Sequence, residues 1–172
     1  MYQIVIVEDS KILRQGMVLT YDWAAQNCQI VGEADNGEDG LAIIRKTNPD
    51  IVITDIRMPV CDGLEMIKTL RDDNDQTVCI VISAYDEFEY AQRAMQLGVQ
   101  EFLVKPFENA ELNTVLERSI QRVEQMRQYR QIEKQQRMLS GDYVAKEGDL
   151  RARYAERAIT YIRNHYAENI AI

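Results

Sequence analysis

The segment YQIVIVEDS, Tyr2–Ser10, settles the architecture. Its centre, Ile4-Val5-Ile6-Val7, is a continuous run of β-branched residues and not an alternation of apolar with polar, and it stops abruptly on Glu8 and Asp9. A strand that is apolar toward both faces belongs to a parallel sheet covered on both sides. Four more runs of this kind follow: Ile30-Val31, Ile51-Val52-Ile53, Val78-Cys79-Ile80-Val81-Ile82 and Phe102-Leu103-Val104. Helical spacing separates them, through Leu13, Met17 and Thr20, then Leu64, Ile67 and Leu70-Arg71, then Phe88, Ala91 and Met95. Asn48-Pro49 closes the second helix, because the residue before a proline is pushed out of the α region. Gly98 ends the fourth. Strand followed by helix, five times over, predicts an α/β domain with a doubly wound five-stranded parallel sheet. Right-handed crossovers then place helices on both faces. No internal repeat is visible.

The chain has 172 residues, 46% hydrophobic and 28% charged, which suits one globular domain with a helical appendage and not a wholly disordered chain. No apolar run approaches the roughly 20 residues that cross a bilayer, and the N-terminus turns acidic too soon for a signal peptide. Cys28, Cys61 and Cys79 show no paired spacing, which speaks against a disulfide framework or a zinc site and for a reducing cytoplasm. With His165 as the one histidine, a multi-histidine metal centre is excluded. Residues 1–106 hold 18 Asp and Glu against 9 Lys and Arg, a net of −9; residues 107–172 hold 10 against 11, a net of +1. The acidic part is therefore not itself a nucleic-acid binder.

Beyond residue 107 the composition shifts to Gln, Glu and Arg. One helix is predicted from about Glu108 to Leu139, with Leu112, Leu116, Ser119, Val123 and Met126 in register, then Tyr129, Ile132, Gln136, Leu139 and Tyr143 after a slip. Leu116, Val123 and Met126 would form an apolar seam that a monomer leaves wet, so the 108–140 segment is a candidate coiled coil and the chain a candidate homodimer. Ser140-Gly141-Asp142 and Gly148-Asp149 are expected breaks. A further amphipathic helix is expected from Arg151 to about His165, with His165 an ordinary surface residue.

In a doubly wound sheet the functional crevice lies outside the carboxyl ends of the strands. Strand one ends in Glu8-Asp9, strand three in Asp55, strand four in Ser83-Ala84 and strand five in Lys105-Pro106. Three carboxylates so close either raise a pKa or share a cation. Hard oxygen ligands suit Mg²⁺, which keeps several waters and is completed by phosphate oxygens. Lys105 is a compact positive charge for a carboxylate and a phosphoryl group, and Ser83 a hydroxyl donor. The set fits phosphoryl transfer onto a carboxylate, with Asp55 the nucleophile.

These residues carry a resemblance. The chain resembles the receiver domain of two-component response regulators, on the motifs Ile4–Asp9, Asp55-Ile56-Arg57-Met58-Pro59 with Asp62-Gly63, Ser83-Ala84, and Lys105-Pro106-Phe107, over about residues 1–122. The resemblance implies a CheY-like, flavodoxin-like sheet of order 2-1-3-4-5. It implies Asp55 as phospho-acceptor, with Mg²⁺ held by Glu8, Asp9, Asp55 and the backbone carbonyl of Arg57. Ser83 and Lys105 would contact the phosphoryl group, Ser83 and Phe102 would form the switch, and Lys105-Pro106 is a candidate cis peptide. The implied partner is a sensor histidine kinase, and the protein is a phospho-acceptor and not a classical enzyme. Two positions depart from the common pattern. Glu8 stands where many relatives have Asp, and Phe102, lacking a hydroxyl, would switch by packing alone. Arg57 and Tyr85 occupy positions that vary in the family and influence phosphoryl lifetime.

A subfamily is suggested as well. Tyr21-Asp22-Trp23, Val31–Gly37 and Ser83–Ala91 resemble regulators whose output is an AraC-type DNA-binding domain, and Ala158–Tyr166 is similar to the first helix of that domain. Residues 150–172 then read as the start of a truncated helix-turn-helix domain, its recognition helix missing. DNA would be contacted through the missing part, and no membrane partner is implied. Three other readings compete. A flavodoxin-like cofactor binder would need a phosphate loop where Glu8-Asp9 stands. A haloacid-dehalogenase-type phosphatase would usually place a second Asp where Arg57 is. A pseudo-receiver, a dimerisation module not controlled by phosphorylation, would not need the full acidic pocket.

Overall fold

The computed structural model describes residues 1–84, 88–99 and 101–139. Five strands, β1 (Tyr2–Val7), β2 (Cys28–Ala34), β3 (Ile51–Asp55), β4 (Val78–Ser83) and β5 (Glu101–Val104), form one parallel sheet in the order β2-β1-β3-β4-β5. The helices are α1 (Lys11–Thr20), α2 (Gly37–Thr47), α3 (Gly63–Asp72), α4 (Phe88–Gln96) and α5 (Asn109–Leu139). This is the doubly wound architecture that the five apolar runs predict.

Side-chain alternation along each strand sorts two cores. Ile4, Ile6, Ile51, Ile53, Ile80 and Ile82 face the cluster that includes Leu112 and Leu116 of α5. Val5, Val7, Val52, Cys79 and Val81 face the cluster that includes Leu41 of α2, Ile67 and Leu70 of α3, and Ala94 of α4. The sequence reads as continuous runs because both faces of the three inner strands are buried. The edge strands are less apolar: β2 is half-buried through Ile30-Val31-Gly32, and in β5 only Leu103 is fully buried. That is why two residues of β2 announce a strand of seven. An irregularity between Ile4 and Val5, which pair with Ile30 and Gly32, adds a residue to β2.

Capping fixes where the helices begin. The Ser10 hydroxyl accepts from the Leu13 amide, Asn36 accepts from Asp39 N, and Asp62 and Glu65 form a reciprocal capping box. Asn48 closes α2 in the left-handed conformation ahead of Pro49, and Gly98, at φ 76°, follows α4.

Three expectations need correction. In α1, Leu13 and Thr20 are exposed and the packing falls to Met17 and Val18. In α4, Met95 points to solvent and Ala94 is the buried residue, because Tyr90, Ala94 and Leu97 form the inward stripe. In α5, Leu116 and Val123 are buried in the chain's own core, beside Leu112 and Val115, with Met126 half-buried. The first half of α5 is thus the sheet's cover, and its seam is not left wet.

The compact unit runs from Met1 to Met126. The described part of the second unit, from Arg127, is the last turns of α5, where Tyr129 and Ile132 are exposed. Tyr85, the expected breaks after residue 139, the Arg151–His165 helix and the 150–172 output segment lie outside the described residues.

Candidate functional site at the carboxyl ends of the strands

The parallel sheet delivers the ends of β1, β3, β4 and β5 to one edge, and each end carries a polar residue. Glu8 follows β1 directly and is 1% exposed, while its neighbour Asp9 is exposed. Asp55 is the last residue of β3 and half-buried. Ser83 is the last residue of β4 and buried, and its carbonyl accepts from Lys105 N at 2.8 Å. Lys105 follows β5 and precedes a cis peptide to Pro106, as expected.

One ammonium holds the cluster together. Lys105 Nζ donates to Glu8 Oε2 at 2.5 Å and to Asp55 Oδ2 at 2.6 Å. The other oxygens take backbone amides. Glu8 Oε1 accepts from Ser10 N at 3.3 Å; Asp55 Oδ1 accepts from Ile56 N at 2.5 Å and Arg57 N at 3.3 Å. Burial pushes the Glu8 carboxyl above its usual range, the Asp55 charge adds to the push, and Lys105 restrains it without cancelling it. Burial by itself would lower the Lys105 ammonium; its hydrogen bonds to Asp55 and Glu8 outweigh that and raise it. Lys105 therefore stays charged across neutral pH.

Glu8, Asp9 and Asp55 each offer one oxygen within 4.8 Å of the others. An all-carboxylate oxygen set fits Mg²⁺, which keeps several waters of its own, and suits a soft metal poorly. Arg57 lies in the loop after Asp55, two residues on; its guanidinium stands over the Tyr90 ring, 5.4 Å from the centroid, tying that loop to α4. Phe102 is not part of the polar cluster. It is half-buried and packs against the core shared by α2, α3 and α4.

Thr54 and Arg14 help build the site and give no sign of that role in the sequence, while Gly63 enters only as part of the Asp62-Gly63 motif. Thr54 is buried and its hydroxyl donates to the Asp55 carbonyl at 2.9 Å, fixing the strand end that carries the carboxylate. Gly63 donates to the Ile56 carbonyl at 2.8 Å, and a Cβ there would lie 2.0 Å from the Asp55 carbonyl oxygen, so only glycine lets α3 start this close. Arg14 hydrogen-bonds the Glu8 carbonyl and reaches Glu33 at 3.5 Å. Ser10, whose amide bonds Glu8, does leave a local signal, as a polar residue at the start of a helix. Tyr21 and Trp23 turn out to be core: their rings pack 4.5 Å apart, Trp23 Nε1 donates to Met17 O at 3.0 Å, and the Tyr21 hydroxyl bonds Asn113.

Comparison with known proteins agrees with this geometry. Residues 4–117 match the response regulator receiver domain family. The chain is 38% identical over 120 residues to the uncharacterized transcriptional regulatory protein YesN of Bacillus subtilis, covering 70% of this chain and 33% of that protein. It is 34% identical over 122 residues to the transcriptional regulatory protein HptR of Staphylococcus aureus, covering 70% of this chain and 47% of that one. The chain thus spans between a third and a half of the length of these curated relatives. Among solved structures, the REC domain of AraT, a response regulator from Geobacillus stearothermophilus, superposes with a TM-score of 0.67 at 34% identity, covering 73% of this chain and 98% of that one. With the strand order, the acidic cluster and the lysine in place, the chain belongs to the response regulator receiver domain family of two-component signalling.

Proposed function

We propose that Asp55 accepts a phosphoryl group from the phosphohistidine of a sensor histidine kinase. The observation that carries this is the setting of Asp55: its carboxylate is held at a strand end by two backbone amides, beside two further carboxylates and a buried ammonium. An Asp55 oxygen attacks phosphorus, the phosphorus–nitrogen bond breaks, and the electron pair and a proton go to the leaving imidazole. The product is an acyl phosphate. Glu8, Asp9, Asp55 and the Arg57 backbone carbonyl would hold Mg²⁺, which would neutralise charge on the transferring group. Lys105, already within 2.6 Å of the nucleophile, passes from carboxylate to phosphoryl oxygen, and Ser83 donates its hydroxyl to another. Ser83 and Phe102 then relay the change by packing, since Phe102 has no hydroxyl to rebond.

In the whole protein this switch controls transcription through a DNA-binding output domain of AraC type. The similarity of Ala158–Tyr166 supports the AraC type, and the curated relatives, named as transcriptional regulatory proteins, support the control of transcription alone. Pairing into a homodimer rests on the exposed Tyr129 and Ile132, three residues apart on the later turns of α5. The protein works in the cytoplasm; among the described residues no helix is long and apolar enough to cross a membrane.

The test is intact-protein mass after incubation with a small-molecule phosphodonor. Parent protein with Mg²⁺ gains one phosphoryl group; Asp55→Asn, or parent protein in excess chelator, gains none. An equal gain in all three sinks the assignment, and no gain in any of them leaves the pseudo-receiver.

A further inference from the structure

The geometry points to a second site, one that binds a small organic anion at the amino ends of β4 and β5, the far end of those strands from Ser83 and Lys105. A groove of about 560 Å³ opens there between the ends of α3 and α4 and the middle of α5. That volume falls within the roughly 300–1,000 Å³ of small-ligand pockets.

Its charge is opposite to that of the domain around it. Arg71, Arg118 and Arg122 line the groove against one carboxylate, Glu101, although residues 1–106 carry a net of −9. Arg71 is fixed in place. It donates to the carbonyls of Leu97 at 3.1 Å, Asp75 at 2.7 Å and Thr77 at 3.0 Å, so its positive charge is anchored by neutral groups. Arg118 reaches Glu101 only at 3.7 Å, and Arg122 has no ion-pair partner among the described residues. Guanidinium groups recognise carboxylate and phosphate through paired donors.

A second, independent observation comes from Ser119, which also lines the groove. It is 1% exposed, and its hydroxyl has no hydrogen-bond partner among the described residues. Buried polar atoms are almost always satisfied, and a serine inside a helix commonly bonds the carbonyl four residues back. This one does neither, which leaves an unused donor just beneath the groove wall, reachable by a bound oxygen once the side chain turns toward it. Val78, Leu97 and Met126 supply apolar wall beside the arginines. The ligand class is therefore a carboxylate or phosphate group on a small apolar body, and an aromatic acid or ester fits better than a bare ion.

The test titrates the full chain, with chelator present and Mg²⁺ absent, with phenyl phosphate, benzoate and inorganic phosphate at constant ionic strength, followed by calorimetry and amide chemical shifts. Phenyl phosphate or benzoate should bind saturably and more tightly than inorganic phosphate, moving the amides of Thr77, Val78 and Gly98. The double variant Arg118→Gln with Arg122→Gln, both exposed positions, should weaken binding by about tenfold or more. Ser119→Ala should weaken it while the thermal midpoint holds or rises, and Asp55→Asn should bind as the parent does. No saturable binding in the millimolar range overturns the proposal. So does affinity that survives the arginine and serine changes, or a response that sodium chloride reproduces. Loss of binding in Asp55→Asn would assign the anion to the acidic site instead.

Discussion

Replacing Lys105 by Met removes one ammonium and keeps the apolar stem. In the parent, that ammonium bonds Glu8 at 2.5 Å and Asp55 at 2.6 Å, with side-chain exposures of only 15%, 2% and 12% for the lysine and its two partners. Removing one member of a buried pair costs about 3–5 kcal/mol, because an unpaired charge stays behind. Here part of the loss is recovered. The Glu8 carboxyl already sits above its usual range and can take up a proton, and Asp9 and Asp55 keep some contact with water. The expected loss is about 2–4 kcal/mol near neutral pH in chelator, a large share of a domain's total stability. Mg²⁺ should reverse it. In the variant the metal would meet three carboxylates without competition, whereas in the parent it would have to share Glu8 and Asp55 with Lys105. Millimolar Mg²⁺ should therefore stabilise Lys105→Met more than it stabilises the parent, by mass action on the folded state. Urea unfolding followed by circular dichroism, with and without Mg²⁺, measures both effects, and unchanged slopes would show that both states keep their compactness. Equal stability of parent and variant in chelator, or an equal gain from Mg²⁺, would refute the claim that lysine and metal compete for one set of oxygens.

Three further outcomes follow from the packing. Leu116→Ala should cost about 2–5 kcal/mol in urea unfolding, independent of protein concentration, because Leu116 is a core residue; a loss that grows on dilution would make it an interchain seam after all. Val60, exposed at φ 69° in the loop after Asp55, is a β-branched residue in the left-handed region, so Val60→Gly should gain about 0.5–1 kcal/mol, and a loss in the same assay would refute the strain. Tyr21 is pushed from 10.0 up to about 12, first by burial and then by the charges of Cys28, Glu117 and Asp22. The folded state therefore holds its proton where the unfolded chain has lost it, and stability falls as pH rises from 10 toward 12. Tyr21→Phe should flatten that fall in urea midpoints taken across the range; an unchanged slope would remove Tyr21 as its source.

Much of this molecule is legible in its sequence because parallel strands advertise themselves. Ile4–Val7, Ile51–Ile53 and Val78–Ile82 are apolar toward both faces, and a polar residue at each strand end marks the crevice. Glu8, Asp9, Asp55, Ser83 and Lys105 could be named for that reason. What stayed hidden depends on how the loops fold back on the strand and helix ends, which no apolar period records. Gly63 is needed because of the Asp55 carbonyl, Arg14 serves the Glu8 carbonyl, and Arg71 clamps two carbonyls of the loop before β4 and one just after α4. Amphipathic spacing misled where a helix touches the sheet over a narrow stripe. Met95 and Leu13 satisfy the period yet lie at the edge of the contact, outside the stripe that packs. In α5 the apolar period is real, but it reports the chain's own core as readily as a coiled coil, and periodicity alone does not distinguish a sheet from a second helix as the surface it covers.

Whether the carboxylate of Asp55 carries the phosphoryl group can be read chemically. Reducing the phosphodonor-treated protein with borohydride converts an acyl phosphate at aspartate to homoserine, and fragmentation of the peptide spanning residues 47–57 locates it. That peptide holds two candidates, Asp50 and Asp55. Conversion is expected at Asp55, only when Mg²⁺ is present, with Asp50 untouched. Conversion at any other carboxylate, or none at all in the presence of Mg²⁺ and phosphodonor, would contradict the assignment.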